Sequence, residues 1–197
     1  VTTSPSVRAF LVLVPPPAVC EQIGVVQKRL KQQWRSGVRW VNPRDVHLTL
    51  KFLGAISERE VADVRATMDK ISARTAPFAL AVRRLGVFPG ANQPRVIWLG
   101  LHGDIAPLTR LQRDIDEGLA GGGFAIEKRL FRPHLTVARL KTPAVLAGLA
   151  EIVARGDEFA AGSFAVRDVT LMKSELTPRG AVYTVLARFP LRADRAL

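Results

Sequence analysis

The apolar positions of this chain fall into two rhythms. At a spacing of three and four residues, Val19, Ile23, Val26 and Leu30 form one stripe, and Val61, Val64, Met68 and Ile71 a second. Ile105, Leu108, Leu111, Ile115 and Leu119 form a third, and Leu146, Leu149 and Val153 a shorter fourth. Recurrence of this kind places side chains on one face of an α-helix, so four helices are predicted. Two starts are marked: Ser57 with Glu60 is a capping box, and Thr142-Pro143 reads as an N-cap followed by proline at the first helical position. Between the helices, extended stretches predict strands at 8–14, 38–41, 46–53, 78–88, 95–101, 134–140, 164–173 and 182–189. Strands and helices interspersed through short connections make an α+β fold.

The pattern also repeats. His47-Leu48-Thr49-Leu50 recurs as His134-Leu135-Thr136-Val137, and 134 − 47 = 87. The strand beginning at Arg8 recurs at Arg95, and 95 − 8 = 87 again. The stretch 78–82 resembles 164–167 at an offset of 86. Each half then reads strand, helix, histidine strand, helix, strand, with 182–189 closing the second half as 95–101 closes the first. A duplicated unit implies two lobes about a pseudo-twofold axis, with equivalent strands facing a common cleft. No Pro-, Gly- and Ser-rich linker separates the halves, so residues 5–192 read as one domain of two interleaved lobes. The glycine run 118–123 reads as a helix end and a loop; it lacks the Gly-Lys-Ser/Thr ending of a phosphate-binding P-loop.

In a strand, residues two apart share a face, so His47 projects with Thr49 and His134 with Thr136, while Leu48, Leu50, Leu135 and Val137 face the core. One imidazole and one hydroxyl from each lobe suit attack on a phosphodiester. Imidazole titrates near neutrality and serves as base for water or acid for a leaving oxygen. Threonine hydroxyls and a guanidinium can hold the non-bridging oxygens. Arg132 has the parity of His134 and Thr136 and is the expected clamp. His102 has no threonine two residues on and reads as a surface loop residue. Two histidines and one distant cysteine make a poor ligand set, so neither a metal nor another cofactor is expected. Cys20, in the first helix with no histidine nearby in sequence, is not an expected nucleophile.

Charge narrows the ligand. Lys and Arg number 29 against 17 acidic residues, a net +12. Such a surface favours polyanions, although it also serves solubility alone. The apolar stretch 9–14 ends at Pro15-Pro16-Pro17, too short for a membrane span. With one cysteine and no internal disulfide, the expected setting is a reducing cytoplasm, and the expected state a monomer.

Two segments carry a family resemblance: His-Leu-Thr-Leu-Lys-Phe-Leu-Gly at 47–54 and Phe-Arg-Pro-His-Leu-Thr-Val-Ala-Arg at 131–139. They resemble the signatures of the two-histidine phosphoesterases, and within these the RNA 2′,3′-cyclic phosphodiesterases, also called 2′-5′ RNA ligases. The likeness extends through 8–15, 93–101 and 171–185, with Ser174, Gly180 and Tyr183. It implies two antiparallel sheets flanking a basic cleft and opening of a terminal 2′,3′-cyclic phosphate to a 2′-phosphate. It further implies His47 as the acid on the 3′ oxygen, His134 as the base on water, and Phe52 as a base-stacking residue. Simple alternation puts Phe52 on the core face, so core packing stands beside stacking. Joining of RNA ends by the same residues, and a non-catalytic RNA-binding module, remain open. So does the substrate: RNA ends, including tRNA fragments, 2′-5′ oligoadenylates, cyclic nucleotides or a cyclic ADP-ribose phosphate.

Overall fold

A computed structural model of the chain describes residues 6–140, 146–178 and 180–192. The order of elements is β1 (Ser6–Leu13), α1 (Pro17–Gln33), β2 (Val38–Trp40), β3 (Leu48–Ser57), α2 (Glu58–Ala73), β4 (Phe78–Phe88), β5 (Val96–Gly103), α3 (Ile105–Ala120), β6 (His134–Leu140), α4 (Leu149–Ala154), β7 (Ala160–Val166), β8 (Asp168–Thr177) and β9 (Gly180–Pro190). The local signals explain several boundaries. Pro17 opens α1 after its two preceding prolines. The Ser57 hydroxyl accepts from the Glu60 amide, and the Glu60 carboxylate accepts from the Ser57 amide and hydroxyl, so the capping box forms as its spacing predicts.

The strands form two antiparallel sheets, one ordered β3-β1-β8-β9 and the other β2-β6-β5-β4-β7. Each sheet packs its outer face on helices. Leu11 of β1 and Leu99 of β5 are fully enclosed, as are Leu108, Leu111 and Ile115 of α3. The inner faces meet at the cleft described below.

Four sequence expectations are corrected. The stretch 164–173 is not one strand: β7 ends at Val166, and β8 begins at Asp168 in the other sheet. The crossing falls at the polar pair Arg167-Asp168, which interrupts the apolar alternation, and there the Arg167 carbonyl accepts from the Leu191 amide. The match of 78–82 to 164–167 is not a symmetry relation either, because β4 and β7 are neighbours with Phe78 opposite Val166. By position beside β5 and beside β1, the counterparts are β4 and β8, and β9 is an outer strand like β7 while β5 is central. The fourth helix is short: it follows left-handed Gly148 and buries Leu149 and Ile152. The start predicted at Thr142-Pro143 lies outside the described residues. Lastly, His102 lies within β5 opposite Ala81, because pairing with β4 continues to Gly103.

The halves are interlaced. α1 follows a strand of the first sheet yet packs on β7 of the second, and α3 makes the reverse journey to lie on α2 and β3. The chain consequently crosses between lobes after β1, before β3, after α2, after β5, before β6 and after β7.

Candidate active site

Both histidines stand where a strand begins. His47 immediately precedes β3, after a one-turn helix at Pro43–Asp45 whose first amide, from Arg44, is capped by the Asn42 side chain. His134 is the first residue of β6. In each case the imidazole Nδ1 lies 2.7 Å from the carbonyl oxygen two residues back, that of Asp45 or Arg132. A carbonyl only accepts, so Nδ1 carries the hydrogen and Nε2 is the nitrogen left for the cleft. The two sites repeat this detail at the offset of the motifs.

His47, Thr49, His134 and Thr136 line one cleft of about 420 Å³ between the sheets, together with Arg8, Phe52, Arg139, Ser174 and Tyr183. Phe52 and Arg139 reach it by the same device. Lys51 pairs with Leu11 and Thr49 with Val12, so Leu50 is an extra residue in β3. Ala138 pairs with Ile97 and Thr136 with Trp98, so Val137 is the extra residue in β6. These bulges are equivalent, since 137 − 50 = 87. Each turns two consecutive residues to the core, Leu50 with Lys51 and Val137 with Ala138, all at most 6% exposed. The alternation then restarts out of step, and the next residue points into the cleft. That residue is Phe52 in one lobe and Arg139 in the other, again 87 apart. Phe52 is 75% exposed, so its place is the cleft wall and not the core.

The bulges have buried polar supports. Gln27 of α1 donates from Nε2 to the carbonyls of Val41 and Val137 at 2.7 and 2.9 Å. Lys51 is ion-paired with Asp116 of α3 and donates to the Ala125 carbonyl at 2.8 Å. Asp116 also accepts from the Glu127 amide, which ties α3 to the segment leading to His134.

The two imidazoles differ in surroundings. His47 sits among rings, 5.2 Å from Phe10 and 5.3 Å from Tyr183 between centroids, the latter edge to face. Burial among them pushes its pKa below the ordinary imidazole value; the Asp45 carbonyl and carboxylate oppose the shift, and the Arg139 charge adds to it. His134 meets Phe88 edge to face at 5.0 Å and is half-buried.

The comparisons with known proteins agree with the internal repeat. The family described as LigT like Phosphoesterase matches twice in tandem, over residues 13–98 and 99–183. This chain belongs to the LigT-like phosphoesterase family. An RNA 2′,3′-cyclic phosphodiesterase of Methanothermobacter thermautotrophicus is 35% identical over 185 residues, covering 94% of this chain and 99% of that protein. Another of that name, from Aquifex aeolicus, is 32% identical, covering 87% and 92%. A crystal structure from Thermus thermophilus superposes with a TM-score of 0.77 at 30% identity, covering 95% of this chain and 99% of that one. Escherichia coli LigT complexed with 3′-AMP gives a TM-score of 0.76 at 26% identity, covering 94% and 98%.

Within this LigT-like frame, five of the six residues singled out from sequence line the cleft, and Arg132 does not. It precedes β6, is exposed, and contributes its backbone carbonyl to His134. Extending strand parity back from His134 misplaced its side chain, because the strand begins only at His134. The guanidinium groups of the cleft belong to Arg8 and Arg139, which sequence reasoning missed. Arg139 closes the second signature, but its strand parity is wrong unless the bulge is known. Cys20 is buried, donates its thiol hydrogen to the Pro15 carbonyl at 3.4 Å, and has its pKa raised by burial. It lines a larger hollow of about 890 Å³, which contains neither histidine motif. Among the described residues no group of three His, Cys, Asp or Glu side chains converges as a metal site would require.

Proposed function

We propose that this chain opens the terminal 2′,3′-cyclic phosphate of RNA to a 2′-phosphate without a metal ion. The observation that carries the reading is the pair of imidazoles with matching Nδ1 anchors, both presenting Nε2 to one cleft. The relatives named RNA 2′,3′-cyclic phosphodiesterase over most of their lengths support the choice of ester.

In the reaction, one neutral imidazole takes a proton from water as the water oxygen attacks phosphorus. The P–O3′ bond breaks, and the departing oxygen takes its proton from the other imidazole, in its charged form. The 2′ ester stays, so the products are a 2′-phosphate and a free 3′-hydroxyl. Thr49 and Thr136 hold the non-bridging oxygens, and Arg8 and Arg139 take the clamping role expected of Arg132. Phe52 stacks on the terminal base. The resemblance makes His47 the acid and His134 the base. Burial of His47 favours its neutral form and so favours the exchanged roles. The two assignments separate by pH: removing the acid abolishes the alkaline limb of the rate profile, and removing the base abolishes the acidic limb. The functional unit is the single two-lobed domain of 5–192, a reading supported by the interlaced chain path.

The test is incubation with RNA ending in a 2′,3′-cyclic phosphate in excess chelator, followed by identification of the end group. A 2′-phosphate is expected. A 3′-phosphate product, or activity lost on chelation and restored by a divalent ion, overturns the reading. Binding without turnover favours the non-catalytic module, and joined ends on adding a 5′-hydroxyl RNA favour the ligase.

A further inference from the structure

One basic residue beside the cleft is not used by this reaction. Arg39, on the short strand β2, lies directly opposite Arg139 of β6 in an antiparallel ladder. Directly opposed residues share a face of the sheet, and Arg139 is on the cleft face. Arg39 therefore points the same way, one strand further out. Its guanidinium reaches the other lobe, where an Nη2 lies 3.1 Å from the position a Cβ would take on Gly180, the first residue of β9. Gly180 has φ +132, a conformation that side-chain-bearing residues rarely adopt, and it leaves room for this approach.

Two like charges directly opposed across strands are destabilising. None of the ion pairs among the described residues includes Arg8, Arg39 or Arg139. An anion lying between Arg39 and Arg139 turns their repulsion into attraction, and planar guanidinium groups suit a phosphodiester. We propose that Arg39, with Arg139 beside it, forms a second anion subsite that takes the phosphodiester on the 5′ side of the terminal nucleotide. The inference rests on the reading of the cleft as the cyclic-phosphate site. It makes the enzyme selective for RNA ends over cyclic mononucleotides, which have no such phosphate.

Three substrates test it: 2′,3′-cyclic AMP, a dinucleotide ending in a cyclic phosphate, and the same dinucleotide with an uncharged methylphosphonate linkage. For Arg39→Gln the KM of the native dinucleotide should rise about tenfold, the worth of one charge-assisted hydrogen bond, with kcat nearly unchanged. Cyclic AMP should be turned over as by wild type. Wild type on the methylphosphonate should lose at least as much as Arg39→Gln loses on the native linkage, and on the methylphosphonate the difference between wild type and Arg39→Gln should vanish. The salt dependence of dinucleotide KM should fall by about 0.7 in log–log slope, the share of one single-strand phosphate. Arg39→Lys should recover part of the affinity, which separates charge from packing. Equal losses on cyclic AMP and dinucleotide, or no loss on either, overturn the subsite. Absence of wild-type turnover on cyclic AMP strikes instead at the cyclic-phosphate reading.

Discussion

The imidazole of His47 is set by what surrounds it. It needs the Asp45 carbonyl to fix its tautomer and the Phe10 and Tyr183 rings to shield it, and the shielding lowers its proton affinity. Unfolded, the same imidazole titrates near about 6.5. Just below that value the unfolded chain holds a proton that the folded chain does not, so acid favours unfolding there. The stability His47 contributes is therefore present above about 6.5 and lost as pH falls through its lower folded pKa. Urea midpoints at neutral and mildly acidic pH should show a smaller acid loss for His47→Ala than for wild type; parallel losses would show that burial of the ring does not matter. In catalysis, His47→Ala and His134→Ala should each reduce kcat by at least about a hundredfold. The double variant should be little worse than either, because the two act as a unit. His102→Ala, on the flank of β5, should be nearly silent, and near-normal turnover in either motif variant would end the two-histidine reading.

Among the elements, β3 and β6 show what a linear pattern reveals and what it hides. His47 with Thr49 and His134 with Thr136 were legible because parity holds from the start of each strand to its threonine. Beyond the threonine it fails, since a bulge adds a residue without changing residue types in any way the alternation records. Leu50-Lys51 and Val137-Ala138 look like ordinary continuations of a strand. That is why Phe52 stayed ambiguous and Arg139 went unseen. Lys51 is buried and paired with Asp116, 65 residues away, a partner that no local pattern could indicate. The pair predicts its own mutational signature. Lys51→Met leaves a buried carboxylate uncompensated and should cost about 3–5 kcal/mol in chemical denaturation. Adding Asp116→Leu should restore much of that loss, since a buried ion pair replaced by apolar groups is often neutral. A double variant as unstable as the single would assign the effect to packing alone.

At the scale of the whole molecule, the duplication and a single domain of interleaved lobes were readable, but the points of crossing were not, because periodicity records which strands exist and not which sheet they join. The six crossings between lobes bear on how the protein comes apart. Two lobes joined by one tether can melt in turn, each with its own enthalpy. Here β4 belongs by sequence to the first half and by hydrogen bonding to the second sheet, β8 does the converse, and each half's first helix covers the opposite lobe. Unfolding of either half of the sequence strips the opposite lobe of strands and of a covering helix. Heating should therefore give one calorimetric transition whose measured enthalpy equals its van't Hoff enthalpy, the mark of a two-state process. Two resolved peaks would mean that the lobes unfold separately. A single peak would make the pair of histidines an all-or-none property: no population of molecules would keep one catalytic strand intact after losing the other.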